Sequence, residues 1–299
     1  MPQDQQPTIN NQQSATGVAL RWSGHTDRGR VRKNNEDTFL ALSINNREVY
    51  YLGKIGEGII HANDYLFAVS DGMGGAMAGE FASRITVEKI TRMFPSFLKR
   101  MAHSQEETKE DAVHQLLKEL FTEIHRALLF LGSSYDECQG MGATLSLCWF
   151  RSDRIYFAHI GDSRIYHLPQ TGGIQQLSED DTHVGWLFRQ GTLSERETKN
   201  HPRRSCLQKA LGADYQFITP QVGSFSFHPG DRILLCTDGV TEEVFDNQLI
   251  DILASHKDKS PSQHLVEEVV MRSGRDNSTA MVIEVDTFNS SCIFRSIDA

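Results

Sequence analysis

The sequence predicts a layered α+β fold, and three observations carry that prediction. Strand-like segments at Ala143–Arg151, Arg154–Ile160 and Ser163–His167 follow one another closely enough to form an antiparallel meander. Amphipathic stretches at Ala76–Phe94 and Gln105–Leu131 stand side by side, so helices come in pairs rather than alternating with strands. Short apolar runs at Tyr65–Ser70 and Arg232–Cys236 read as buried strands bounded by turn residues.

Taken in order, Met1–Gly17 is rich in Gln, Asn, Ser and Pro without apolar periodicity, which predicts a disordered tail before a single domain at 18–285. Strands Val18–Ser23 and Thr38–Ser43 lead to Tyr65–Ser70, with Ile44–Asn63 as a longer excursion read as a surface hairpin extension. In the second helix, Val113, Leu117, Leu120, Ile124, Leu128 and Leu131 recur at helical spacing and form a core stripe. Ser152–Asp153 is a two-residue turn inside the meander. Asn247–Ser255 and Ser262–Ser273 are amphipathic helices suited to cover a sheet, with Pro261 placed at a first helical turn. Thr279–Val285 is the last expected strand, and the tail Asp286–Ala299 has no periodicity.

Composition sets limits on function. A chain of 299 residues, 39% hydrophobic and 23% charged, can bury a substantial core as one large domain. A net charge of -9 argues against nucleic acid as the principal partner, because phosphate backbones demand basic surface. Cys138, Cys148, Cys206, Cys236 and Cys292 form no framework and read as small buried apolar residues in a reducing, cytoplasmic setting. No apolar run approaches the roughly 18 residues of a membrane span, and the start is polar rather than a signal sequence.

Function is signalled by three acidic motifs: DGMGG at Asp71–Gly75, TDG at Thr237–Gly239 and RDNST at Arg275–Thr279. Each sets an aspartate at the edge of an apolar run, and carboxylates at strand ends converge readily on one cleft. Packed together they repel one another and raise each other's pKa unless hard divalent cations neutralise them. Oxygen-only ligands suit Mg or Mn rather than Zn, and no clustered Cys/His pattern competes. A single Asp-Gly pair is most often a turn former; three such motifs after strands point to a shared metal site. Thr26–Asp37 supplies the complement, a run of Arg28, Arg30, Arg32 and Lys33 closing on Glu36–Asp37. Arginine offers forked donors that match phosphate oxygens, so the ligand expected beside the metals is a phosphate.

In this order, G-x-x-R-x-x-N-E-D (Gly29–Asp37), DGMGG, GDSR (Gly161–Arg164), TDG and RDN resemble the metal-dependent protein phosphatases, specifically type 2C serine/threonine phosphatases of bacterial pattern. The resemblance runs from about Val18 to Val285. It implies a four-layer α-β-β-α sandwich of two mainly antiparallel sheets flanked by helix pairs, with a flap beside the active site. It implies two Mn2+ or Mg2+ ions per site. Asp71 resembles the ligand bridging them, with the Gly72 carbonyl on one ion; Asp238 and Asp276 complete the other, and Asp37 and Glu36 contact it directly or through water. Asp162 resembles the ligand of a third, weaker ion, with pairing to Arg164 in the same motif as its structural alternative. Arg32 matches the arginine that holds the substrate phosphate.

A two-metal site implies direct attack on phosphorus by a hydroxide formed between the ions, with no covalent enzyme intermediate. Consistently, no cysteine is followed by the five-residue loop and arginine of cysteine-based phosphatases. Animal relatives carry histidine where this chain has Met73, and a thioether cannot protonate the leaving alkoxide, so metal-bound water would serve instead. Ser178–Gly212 resembles the family's flap through Asp181–His183, His201–Pro202 and Ala210–Gly212. Trp186 and Phe188 on it read as a packed apolar pair, and His183 and His201 as capping or core residues. The compact bacterial pattern lacks the Ile44–Asn63 excursion.

Two functions of different class follow. The first is an Mg/Mn-dependent phosphatase acting on phosphoserine and phosphothreonine in proteins phosphorylated by a serine/threonine kinase. The second is a catalytically silent module of the same fold that binds a phosphoprotein or signalling partner; it would normally show a lost ligand, whereas Asp71, Asp238 and Asp276 are all present.

Overall fold

A computed structural model of the chain describes residues 16–45, 48–60, 63–75, 77–101, 109–215, 217–255 and 258–289. The first elements are β1 (Thr16–Asp27), β2 (Asp37–Ile44), β3 (Val49–Tyr51), β4 (Ile55–Ile59) and β5 (Asp64–Met73), followed by the helices α1 (Ala78–Met101) and α2 (Lys109–Ser134). Strands β6 (Gly142–Ala143), β7 (Leu145–Arg151), β8 (Arg154–Ile160), β9 (Arg164–Leu168) and β10 (Gln175–Gln176) come next. Then follow α3 (His183–Arg189), α4 (Glu195–Asn200), β11 (Leu211–Gly212), β12 (Gln221–Ser226), β13 (Arg232–Cys236), α5 (Asp238–Thr241), α6 (Asp246–Ser255), α7 (Pro261–Arg272) and β14 (Ser278–Asn289).

These elements make two sheets whose described pairings are antiparallel, one in the order β10-β9-β13-β14-β1-β4 and the other built on β3-β2-β5-β7-β8-β12, with β6 and β11 continuing it beyond β5. Three apolar layers separate four layers of structure. Helices α1 and α2 pack on the second sheet through Phe94, Leu117, Phe121 and Trp149. The two sheets meet through Trp22, Phe67, Phe150, Ile233 and Ile283. Helices α5–α7 cover the first sheet through Val240, Leu249, Leu265 and Val269. The four-layer α-β-β-α sandwich expected from the sequence is the architecture observed.

Burial on both faces explains why the central strands read as unbroken apolar runs. In β5, Tyr65, Phe67 and Val69 face the other sheet while Leu66 and Ala68 face the helices. In β13, Ile233 and Leu235 point to the sheet interface and Leu234 and Cys236 to α6 and α7. Alternation with a period of two therefore sends an apolar side chain to a core at every position.

Several expectations need correction. The meander ends after two strands, because β9 leaves β8 and pairs with β13 in the opposite sheet. The turn across the gap is made by Gly161, whose φ of 111° is open to glycine and whose added Cβ would meet Thr144 Cγ2 at 2.6 Å. The Ile44–Asn63 excursion is no independent hairpin: β3 pairs with β2 in one sheet and β4 with β1 in the other. Helix α1 continues through Pro95 to Met101, and Phe97 beyond the proline is buried. Ala76 and residues 102–108, on which expected helix starts fall, lie outside the described residues, as do 1–15 and 290–299 of the expected tails. Thr16–Gly17 and Asp286–Asn289 are strand, extending β1 and β14 beyond the expected bounds. Of the cysteines, Cys148 and Cys236 are buried, but Cys138 is half-buried and Cys206 exposed; Cys292 lies outside the described residues.

Candidate metal centre and active site

Sheet polarity gathers the motifs at one rim of the sandwich. β5 and β13 run towards that rim, β5 carrying Asp71 near its end and β13 leading through Thr237 to Asp238, while their antiparallel neighbours β2 and β14 start there, after Glu36 and after Asp276. The β8–β9 crossing brings Asp162 to the same edge. Asp37 and Asp71 are register partners across β2 and β5.

Neutral side chains fix this rim. Thr237 Oγ1 donates to Asp37 Oδ2 at 2.8 Å and accepts from the Thr279 amide at 3.0 Å, tying β13, β2 and β14 together. Thr144 Oγ1 accepts from the Asp71 amide at 2.9 Å and lies 2.7 Å from Ser163 Oγ. Buried Asn277 is the knot of the arginine-rich loop: its Oδ1 accepts from the Glu36 amide at 2.8 Å, and its Nδ2 donates to the Arg28 and Asn34 carbonyls at 2.9 Å. Behind Asp71, Gly72 donates its amide to the Glu36 carbonyl at 3.1 Å, and any Cβ on it would sit 1.9 Å from the Gly79 carbonyl oxygen of α1. Glycine is required there by that approach.

The carboxylates resist ionisation. Asp71 is raised well above its ordinary value, first by burial and then by the charges of Asp37, Asp238, Asp162 and Asp276. Asp238 is raised in the same way, by burial and by Asp162, Glu242, Asp276 and Asp37. Both keep part of their surface open to the cleft, but protein atoms crowd their charged ends closely enough for burial to dominate. Burial also pushes Asp37 up to about 7, despite the hydrogen bond from Thr237, and Asp162 up to about 7, with Asp180 adding repulsion. Among the described residues, Asp37 Oδ1 is buried without a hydrogen-bond partner. Buried, mutually repelling oxygen donors and one orphaned carboxylate oxygen are a donor set that fits hard divalent cations.

Arg32 reaches into this cluster, with Nη2 donating to Asp276 Oδ2 at 2.6 Å, a contact that raises the guanidinium pKa further. Glu36 lies behind, raised by burial, its Oε1 2.6 Å from where a Gly79 Cβ would be. As placed, no three His, Cys, Asp or Glu side chains among the described residues converge closely enough to chelate an ion. Repulsion among the carboxylates and the grip of Arg32 on Asp276 both oppose closer approach.

The structure separates Asp162 from Arg164. Arg164 instead forks onto Asp180, with Nε to Oδ1 at 2.9 Å and Nη2 to Oδ2 at 2.7 Å, so the pairing within the GDSR motif does not form. Asp162 faces a small polar cavity of about 60 Å³ shared with Asp238, Lys199 and Glu242. Across that cavity stands the segment expected to be a flap. Lys199 Nζ donates to the Thr241 and Val244 carbonyls, the latter at 2.9 Å, and Arg204 Nε lies 2.9 Å from Glu242 Oε1, one turn after Asp238.

Of the expected flap residues, Asp181 is buried, accepting from the Gly161 amide at 3.1 Å and from Lys209 Nζ at 2.8 Å. Trp186 and Phe188 are not packed: they are 47% and 43% exposed, because Val184 and Gly185 take the inward positions of α3. His183 lies on the exposed face against Trp186, with ring centres 5.8 Å apart, and Thr182 rather than His183 caps the helix. His201 does serve locally, its Nδ1 accepting from the Arg203 amide at 3.1 Å. Thr144, Lys199 and Glu242 carry no signal in the sequence, whereas Thr237 and Asn277 sit inside the TDG and RDN motifs and escape notice beside their aspartates.

The profile of protein phosphatase 2C matches residues 54–280. The chain belongs to the protein phosphatase 2C family. It is 31% identical over 265 residues to the serine/threonine phosphatase stp of Listeria welshimeri, covering 87% of this chain and 93% of that protein. It is 29% identical over 271 residues to the serine/threonine protein phosphatase PstP of Mycobacterium tuberculosis, covering 90% of this chain but 45% of that relative, so it spans about half the relative's length. The crystal structure of the PstP catalytic domain in complex with two manganese ions superposes with a TM-score of 0.68 at 28% identity, covering 90% of this chain and 99% of that one. Among the described residues no helix is long and apolar enough to cross a membrane.

Proposed function

We propose that this family member is a metal-dependent phosphatase that hydrolyses phosphoserine and phosphothreonine in proteins, using Mn2+ or Mg2+. The observation that carries the reading is the convergence of Asp37, Asp71, Asp238 and Asp276 from both sheets on one rim, with Arg32 reaching among them. Asp71, the Gly72 carbonyl, Asp238, Asp276 and Asp37 would hold two ions, with Glu36 behind them and Asp162 placed for a third. Bound there, the ions acidify water and polarise the phosphoryl group.

The chain's own residues do the rest. Arg32, half-exposed at the mouth, exchanges Asp276 for a substrate phosphate, since its fork matches two phosphoryl oxygens. With Asp276 committed to a cation, the Arg32 guanidinium would be free for that task. Thr237, Thr144 and Asn277 hold the carboxylates in register without adding charge, so the site keeps its acidity for the ions. Met73 cannot donate a proton, so the leaving alkoxide would take its proton from a water held in the metal site. The flap segment with Asp181, His183 and Trp186 borders the cleft and favours particular phosphoproteins.

The expected partners are proteins phosphorylated by a serine/threonine kinase, in a signalling pair, and not nucleic acid. A cytoplasmic setting accords with the four described cysteines, all of them free thiols. The test is phosphate release from a phosphothreonine peptide with MnCl2, MgCl2 or EDTA. Metal-dependent release supports the reading; no release from folded protein under any condition refutes it in favour of a silent binding module.

A further inference from the structure

The loop that carries Arg32 is more basic than one phosphate requires. Arg28, Arg30, Val31, Arg32 and Lys33 are all exposed, and Arg275 on the neighbouring turn is exposed too. Two loops hold these cations side by side. The Arg30 amide donates to the Gly274 carbonyl at 2.7 Å, Asn277 Nδ2 holds the Arg28 carbonyl at 2.9 Å, and Arg28 Nη1 donates to the Lys33 carbonyl at 3.2 Å. The Arg30 stem lies against Gly274, its Cγ 3.0 Å from where a Cβ would be. Gly29, with φ of 74°, allows the loop to run this close, since a Cβ there would meet the Asp276 carbonyl oxygen at 2.4 Å.

The charges of this collar are not spent internally. Elsewhere in this chain of net charge -9, arginines commonly lie against carboxylates, as Arg21, Arg84, Arg100 and Arg126 do. Among the described residues, Arg28, Arg30, Lys33 and Arg275 form no such ion pair. Two carboxylates of the same loops are engaged elsewhere: Asp27 Oδ1 accepts from the Gly29 amide at 2.7 Å, and Asp276 holds Arg32. Unpaired cations concentrated at one mouth of an acidic protein focus the local field and raise the encounter rate of anionic segments.

Resting on the phosphatase reading above, we infer that this collar selects phosphoprotein segments that carry acidic residues beside the phosphorylated Ser or Thr. Arg32 takes the phosphate to be removed, while Arg28, Arg30, Lys33 and Arg275 attract the flanking carboxylates. The chemistry is long-range and shared among several exposed charges, so it weakens as the Debye length falls from about 10 Å at 0.1 M salt to about 3 Å at 1 M.

The test compares two phosphothreonine peptides of equal length, one flanked by Glu on both sides and one by Ala, with Mn2+ and at low and high salt. Wild-type protein should favour the acidic peptide in kcat/KM by on the order of tenfold at low salt, with the preference shrinking at high salt. The triple variant Arg28→Gln/Arg30→Gln/Arg275→Gln should lose the preference, and the single reversal Arg28→Glu should reduce it, each checked by thermal melting. Equal kcat/KM for the two peptides in wild type, or a preference that survives in the folded triple variant, would overturn the collar while leaving the phosphatase reading intact. Hydrolysis of neither peptide would overturn both. Hydrolysis limited to a doubly phosphorylated peptide supplied as a third arm would overturn carboxylates as the selected groups and assign a second phosphate instead.

Discussion

Asp37 and Asp71 stand directly opposite each other on neighbouring antiparallel strands. Like charges in that arrangement oppose folding, and burial has already raised both from their ordinary values. Cations that bind the folded site must therefore stabilise it: at a hundredfold over its Kd, Mn2+ should add about 2.7 kcal/mol, seen as a rise in Tm. Asp71→Asn should melt higher than wild type in EDTA, lose the gain from Mn2+ and lose turnover. A variant that keeps both the metal-dependent rise and its activity removes Asp71 from the metal site.

Among the described residues Arg32 is ion-paired with one carboxylate, Asp276, through Nη2, and is half-exposed. Arg32→Ala should raise KM for a phosphopeptide far more than it lowers kcat, because it removes binding that the ground state and transition state share. Peptide titrations at saturating Mn2+ give the split. A defect confined to kcat means that the arginine acts on the reacting phosphoryl group alone.

Asp64 gives a pH signature away from the site. Burial pushes it up to about 6 from 3.8, with Arg151 3.6 Å away pulling the other way. The folded chain then binds this proton more tightly than the unfolded chain, so its stabilising effect is complete below about pH 4 and lost as pH rises through about 6. Asp64→Asn should be free of that loss, gaining roughly 1–3 kcal/mol on wild type between pH 4 and pH 7. Urea unfolding at both pH values checks it; a constant difference between the two proteins contradicts the assignment.

Lys199 of α4, in the proposed flap, clasps the turn that begins with Asp238, its ammonium capping two carbonyls and lying 5.0 Å over the Phe245 ring. Lys199→Met keeps the stem but orphans both acceptors, at a local cost of about 1–3 kcal/mol. Amide exchange across 195–206 should quicken while β5 and β13 stay protected, and Lys199→Arg should restore part of the protection. Unchanged exchange in the flap of the Met variant would show that the clasp contributes nothing.

How far the sequence speaks depends on what each residue faces. Tyr65–Ser70 and Arg232–Cys236 are legible because both faces of each strand are buried, and the aspartates that follow are conspicuous for the same reason. β9 is legible as a strand but not in its sheet, since Ile165 and Leu168 would be buried on either side of the sandwich. β12 escapes notice because Gln221, Gly223 and Ser224 break its apolar pattern, and its place follows from pairing with β8. Lys199 and Glu242 are ordinary charged residues in the sequence; only the fold brings Lys199 to the Thr241 and Val244 carbonyls and Glu242 to Arg204 and Ser205. Trp186 and Phe188 mislead in the opposite sense, since their chemistry favours burial and the register of α3 denies it.

The divided excursion between β2 and β5 has a consequence for how this molecule behaves in a crowd. Without β4, the twelve-residue β1 would present a long bare edge, an open template for a second chain. In its place lie only five residues, whose Gly56 and Gly58 nestle against Trp22 and the Tyr65 hydroxyl, and β3 shields β2 with three. Each long strand thus hands its frontier to a stub too short to recruit a neighbour, and removing the segment would show itself first as self-association.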